Sequence, residues 1–131
     1  MPVIVESIKT PTAADHADLI KIYNDAPKWL TTEAIAEEWL SRTLADAQLH
    51  LYAARFNDRL LAAAIISPTV SETKIAWELE WLNVRKITRN RGVGQRLTGE
   101  LQRLAKKCGA SLVVRRSTES PLPSYLNMLR A

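Results

Sequence analysis

The stretch from Lys74 to Arg115 constrains the fold more than any other part of the chain. Ile75, Trp77, Leu79 and Trp81 alternate with Ala76, Glu78 and Glu80, the period of two that marks a strand. Leu82 and Val84 are apolar in the opposite phase, so the pattern slips at Trp81–Leu82. A slip inside one strand predicts a β-bulge, which bends the strand and re-aims its end. Arg85 to Arg91 reads as a basic loop, and Gly92 to Cys108 as a helix with Val93, Leu97, Leu101, Leu104 and Cys108 along one face. Lys106 and Lys107 suit its last turn, and Gly109 a left-handed stop. Ser111 to Arg115 reads as the next strand. A strand–helix–strand crossover of this length makes the two strands parallel neighbours.

The rest of the chain supplies more of the same sheet. Val3 to Ile8 reads as a strand. Thr10-Pro11-Thr12 looks like a helix start with proline in the first helical position, and Leu19, Ile20 and Tyr23 recur at helical spacing. Ala26-Pro27 breaks that helix. Thr31-Thr32-Glu33 is expected to open a second, with Ile35, Trp39 and Thr43 along one stripe. Leu49 to Phe56 and Leu60 to Ser67 read as strands joined by Asn57-Asp58, two residues that tolerate positive φ in a tight hairpin. Pro68 to Glu72 reads as a turn, and Tyr125 to Arg130 as a short terminal helix. The expected class is α+β: one domain over residues 1–131, a mixed sheet with helices on both faces.

Of the 131 residues, 47% are apolar and 24% charged, a globular rather than a disordered mix. A single cysteine, Cys108, excludes an intrachain disulfide, and with His16 and His50 it is too little for a Cys/His zinc site. The longest apolar run, Leu60 to Ile66, is far short of the ~20 residues of a membrane-spanning helix. No signal peptide is read at Met1-Pro-Val-Ile-Val-Glu6, so a reduced, cytoplasmic setting is expected.

The net charge of +4 is unevenly distributed. Residues 1–48 carry four bases and eight acids (−4), whereas residues 85–116 carry ten bases and one acid, Glu100 (+9). Such a segment suits nucleic acid, an acidic protein or a phosphorylated small molecule. Only four glycines occur in the chain, and two of them fall in Arg89-Asn90-Arg91-Gly92-Val93-Gly94. Glycines admit close backbone approach, the first amides of a helix have no intrahelical acceptor, and the helix dipole favours an anion there. Arg89, Arg91 and Arg96 add positive charge. A P-loop is absent, and Leu97 stands where a dinucleotide fingerprint needs its third glycine.

A bulged strand followed by Arg89-Asn-Arg-Gly92-Val-Gly94 resembles motif A of the GNAT superfamily of N-acetyltransferases. The resemblance spans most of the chain through the order of its elements. It implies a fourth strand splayed from the fifth, with acetyl-CoA or CoA between them. Leu82, Asn83 and Val84 would meet the thioester and pantetheine through their backbone. Thr88, Arg89, Asn90, Arg91, Gly92, Val93, Gly94, Gln95 and Arg96 would surround the pyrophosphate. The final strands of a GNAT fold are not found before Ala131, which would leave a sheet edge open to dimerisation.

Two segments carry a narrower resemblance, Tyr52-Ala-Ala-Arg-Phe-Asn-Asp-Arg-Leu-Leu-Ala-Ala63 and Val84-Arg-Lys-Ile-Thr-Arg-Asn-Arg-Gly-Val-Gly-Gln95. They are similar to the PanZ group, GNAT-fold maturation factors of aspartate 1-decarboxylase. Lys86 stands where most GNATs have proline, as in that group. The resemblance implies binding of acetyl-CoA or CoA, then of the decarboxylase proenzyme, whose self-cleavage is promoted, with control of pantothenate synthesis when CoA is plentiful. Arg55 and Asn57 lie in the first segment and are candidate partner contacts, with ordinary turn chemistry as the alternative. Surplus bases such as Arg103, Lys106 and Arg116 leave room for an acidic protein surface.

Acetyl transfer needs a base for the ammonium and often an acid for the thiolate. Glu80 is the candidate base, with Glu78 expected on the same side, and Tyr125 the candidate acid. The alternatives are a solvated strand face and a packing aromatic. Whether the chain is an enzyme stays open. Cys108 is expected to be buried, His16 and His50 to be superficial, and Trp77 and Trp81 to be core. Arg115 and Arg116 either cover a sheet edge or approach the ligand slot. Three readings follow: a PanZ-like regulator, an N-acetyltransferase, and, ranked last, a nucleic-acid binder.

Overall fold

Asn57 and Asp58 adopt φ of 47° and 67°, the left-handed pair that matches the twist of a two-residue hairpin. That turn joins β2 (His50–Phe56) to β3 (Arg59–Val70) at the centre of one five-stranded sheet. The computed structural model describes residues 3–27, 31 and 35–114. The sheet order is β1 (Ile4–Ile8), β2, β3, β4 (Ile75–Val84) and β5 (Ala110–Val114). The first four strands are antiparallel, and β4 and β5 are parallel across the crossover, as expected. Helices α1 (Ala13–Asn24), α2 (Ala36–Ala45) and α3 (Val93–Lys107) complete the described fold.

β3 explains how helices cover both faces. Ala62, Ala64 and Ile66 join one buried cluster with Leu79, Leu97, Leu101 and Ala105. Ala63 and Ile65 join the other with Leu19, Ile22, Trp39 and Leu40. Alternation along the strand thus sends successive residues to α3 on one face and to α1 and α2 on the other. The alanines are fully buried, and their small side chains let the helices pack close to the sheet. Each buried Leu or Ile of these clusters contributes about 1.5–3 kcal/mol. Tyr23, Trp39 and Trp81 form an aromatic group on the α1–α2 side, with ring centroids 4.6 to 6.2 Å apart.

Several sequence expectations are corrected. The bulge lies at Glu80: Trp81 pairs with Ile65 and Leu79 with Ile66, so no β3 residue faces Glu80. Trp81 consequently leaves the face shared by Trp77 and Leu79 and packs with α1 and α2. Pro68 belongs to β3 rather than to a turn, pairing with Trp77. β2 starts opposite Ile66, so on that side Pro68 has no strand needing its missing N–H. The first helix is capped by Thr12, with Pro11 outside it. Ile35 is an exposed cap residue of α2 instead of part of its buried stripe. Cys108 is in phase with the buried face of α3 but caps the helix beyond its last covered turn, and is exposed. Thr32, Glu33, Arg115, Arg116, Tyr125 and the expected terminal helix lie outside the described residues.

Candidate functional site

Pairing between β4 and β5 is described from Ile75–Ala110 to Leu79–Val114, ending next to the bulge. Val114 is the last described residue of β5, while β4 runs on to Val84. There a cleft of about 460 Å³ is lined by Leu82, Asn83, Val84, Thr88, Arg89, Asn90, Gly92, Val93, Gly94 and Gln95. All of these were selected from the sequence; Arg91 and Arg96 are exposed just outside the lining.

The start of α3 faces this cleft without a cap of its own. Gly92 holds φ at +80° and gives no side-chain hydrogen bond to the helix. Its carbonyl accepts the Arg96 N–H at 3.0 Å, which leaves the amides of Val93, Gly94 and Gln95 ahead of the first intrahelical bond. There is no acid in the first turn. A Cβ built on Gly92 meets nothing within 4 Å, so the space before the helix is open. Among the described residues, Arg91 and Arg96 form no ion pair. Open amides, the positive end of a helix and free guanidinium groups suit a phosphorylated ligand.

The loop between β4 and α3 is fastened to α1. Asn83 is buried with its side chain turned to that helix: Nδ2 donates to the Ile22 carbonyl at 2.9 Å. Its Oδ1 accepts from Arg89 Nη2 at 3.2 Å. Arg89 also donates to the carbonyls of Val84 at 3.2 Å and Asp25 at 2.6 Å. Asp25 Oδ2 accepts from Arg85 Nε and from the Lys86 N–H, each at 3.0 Å. Burial pushes the Asp25 carboxyl up, but the Lys86 amide and Arg85 guanidinium more than offset it and hold it below its usual range. Arg89, expected at the pyrophosphate, is therefore already engaged with backbone and Asn83.

Sequence reading passed over Asp25. The signal was present: an acid capping the C-terminal end of a helix opposes the dipole and calls for a cationic partner. Arg55 donates to Glu6 Oε1 at 2.8 Å and Asp15 Oδ2 at 2.9 Å, which holds it charged and ties it within the fold. Asn57 forms the hairpin turn at the sheet end that also carries the cleft, where the Arg85 N–H donates to Leu61 at 2.7 Å. Glu80 is half-buried at the bulge and outside the cleft lining. His16 lies 2.9 Å from Glu37, bridging α1 and α2. No cluster that could hold a metal ion occurs among the described residues.

Residues 2–119 match the family model described as an acetyltransferase (GNAT) domain, PanZ. The PanD regulatory factor of Salmonella typhimurium is 41% identical over 93 residues, 70% of this chain and 60% of that protein. That of Escherichia coli K12 is 52% identical over 58 residues, 44% of this chain and 42% of that protein. The matched stretches thus span less than two thirds of either relative. A GNAT family acetyltransferase from Staphylococcus aureus superposes with a TM-score of 0.68 at 14% identity, covering 95% of this chain and 98% of the other. A transcriptional regulator from Bacillus halodurans gives 0.71 at 15%, covering 92% and 85%. At such identities these two establish the fold alone. The chain belongs to the PanZ family of GNAT acetyltransferase domains.

Proposed function

We propose that this chain binds acetyl-CoA or CoA in the cleft between β4 and α3. So loaded, it promotes self-cleavage of aspartate 1-decarboxylase proenzyme and lets CoA supply restrain pantothenate synthesis. The observation that carries the ligand is the uncapped start of α3, open in front of Gly92 and flanked by Arg91 and Arg96, which form no ion pair among the described residues. The amides of Val93, Gly94 and Gln95 would hold the pyrophosphate, with Arg91 and Arg96 supplying charge. Leu82 and the backbone of Asn83 and Val84 would line the path of the pantetheine. The ligand supplies the negative charge that this helix start lacks. The partner reading is supported by the name PanD regulatory factor, carried by both relatives. Arg55 and Asn57 would then shape the contact through the β2–β3 hairpin. The setting proposed is the cytoplasm; no described helix is long and apolar enough to cross a membrane.

A thermal shift with acetyl-CoA, CoA and dephospho-CoA tests the ligand. At one hundred times its Kd a ligand adds about 2.7 kcal/mol of stability. Absence of any shift removes the cofactor. Co-expression with the proenzyme, read by intact mass, tests the partner. Cleavage no faster than in the proenzyme alone removes it.

A second reading, N-acetyl transfer, is favoured by one feature. Glu80 sits at the bulge of β4, two positions before Leu82 of the cleft lining. It would take the amine proton, with Tyr125 as the proposed acid. Thiol release across an amine panel, lost in Glu80→Gln, would support it.

A further inference from the structure

We infer that Asp25 is a positioning residue for the cradle, fixing the β4–α3 loop from the C-terminal end of α1. The inference rests on the proposed CoA site and deepens it. The Arg85 N–H still donates to the Leu61 carbonyl of β3 at 2.7 Å, and beyond that backbone bond the loop has two kinds of support. One is local: the Thr88 N–H donates to Arg85 and the Arg89 N–H to Lys86, bonds that shape a turn without placing it. The other is α1. Through its carboxylate Asp25 holds Arg85 and the Lys86 amide, and through its carbonyl it holds Arg89. Asn83, bound to the Ile22 carbonyl, adds a second tie to the same helix end and a second acceptor for Arg89. The span 85–89 that leads into Gly92 is thereby docked on a helix rather than left to its own turn.

Charge alone gives the opposite expectation. Asp25 is an anion near a site proposed for an anion, so removing it should tighten binding if Coulomb attraction were all that mattered. If Asp25 positions the loop, removing it loosens the amides that must converge on one phosphate group, and binding weakens. The sign of the change therefore separates the two.

The experiment compares Asp25→Asn, which keeps size and removes charge, with Asp25→Glu and with Asp18→Asn. Asp18 holds the β2–β3 hairpin and makes no contact with the cradle loop. CoA affinity is measured by calorimetry, and amide hydrogen exchange over residues 85–91 is measured without ligand. Asp25→Asn should bind CoA about tenfold more weakly and exchange faster in the loop. Asp25→Glu should recover part of both. Asp18→Asn should lose stability while keeping both. Unchanged or tighter CoA binding by Asp25→Asn, or unchanged loop exchange, overturns the inference. Wild-type protein that binds no CoA removes the proposed cofactor and with it any binding role of Asp25; faster loop exchange in Asp25→Asn would still show the docking.

Discussion

Helices α1 and α3 begin in opposite ways, and the difference locates the site. At α1 the Thr12 hydroxyl accepts the Asp15 N–H at 3.1 Å, and the acid of the first turn meets the positive helix end. At α3 there is a left-handed glycine, no side-chain cap and no first-turn acid. The charges follow the same division. Arg55, Arg59 and Arg85 each find a carboxylate at 2.8 to 3.0 Å, from Glu6 and Asp15, Asp18 and Asp25 respectively. Arg91 and Arg96 find none among the described residues. The same electrostatics is satisfied internally at one helix and left for a ligand at the other.

The sharpest way to break this contrast is to give α3 its own anion. Gly92→Glu places a carboxylate before the open amides and forces a side-chain residue into φ +80°. CoA affinity should fall about hundredfold, or about 2.7 kcal/mol, with about 1–2 kcal/mol of folding stability lost to the left-handed backbone. Gly92→Ala carries the strain without the charge, and its Cβ meets nothing within 4 Å. It should keep most of the affinity. Calorimetry with CoA checks both; equal affinity for Glu and Ala would mean the helix start is not the anion site.

Next in size is a break on the satisfied side. Asp18 is buried and accepts from Arg59 and from the Leu60 N–H at 3.1 Å. Asp18→Ala strands that buried amide, at a cost of about 2 kcal/mol, while CoA affinity stays unchanged. Chemical denaturation and calorimetry on one sample check the pair of outcomes. A large affinity loss would mean the two sides are not separable.

Local physics made much of this contrast readable from sequence. The Asn57-Asp58 hairpin, the left-handed Gly109 and the crossover need only neighbouring residues to be understood. The bulge was legible as a phase slip, yet its position was not. Either side of the slip fits the pattern, and only the pairing with Ile65 and Ile66 puts Glu80 outside the ladder. Pro68 misled because its tolerance depends on where β2 begins. Arg89 was legible as a residue of the cleft, but its anchoring was not, because its partners lie up to 64 positions away, at the end of α1. Charge counting in residues 85–116 could not tell cations already matched by distant carboxylates from those left free.

A smaller effect tests the cap at α1 itself. Thr12→Ala removes the hydroxyl acceptor and should cost about 1 kcal/mol of stability without altering CoA affinity. Thermal denaturation with and without CoA measures both. A cap effect near zero would mean that Asp15 alone satisfies this helix end, making the contrast with α3 one of charge rather than capping.

The smallest expected effect concerns acid. Burial pushes the Asp18 carboxyl up, but bonds from Arg59 and the Leu60 N–H outweigh it, so the folded value lies below the ordinary 3.8. A carboxyl depressed on folding stabilises fully above its unfolded value, and the gain disappears as pH falls through the folded one. Asp25 behaves in the same direction. On α3 the Arg103 guanidinium holds the Glu100 carboxyl low as well, but at the surface, where solvent screens the pair, so the buried part of the acid limb belongs to the α1 side. The stability gap between wild type and Asp18→Asn should be constant above about pH 5 and shrink below about pH 4. Melting temperatures across that range measure it. A gap that persists unchanged in strong acid would show that neutral hydrogen bonds, not the carboxylate charge, hold the hairpin, and the electrostatic half of the contrast would then rest on α3 alone.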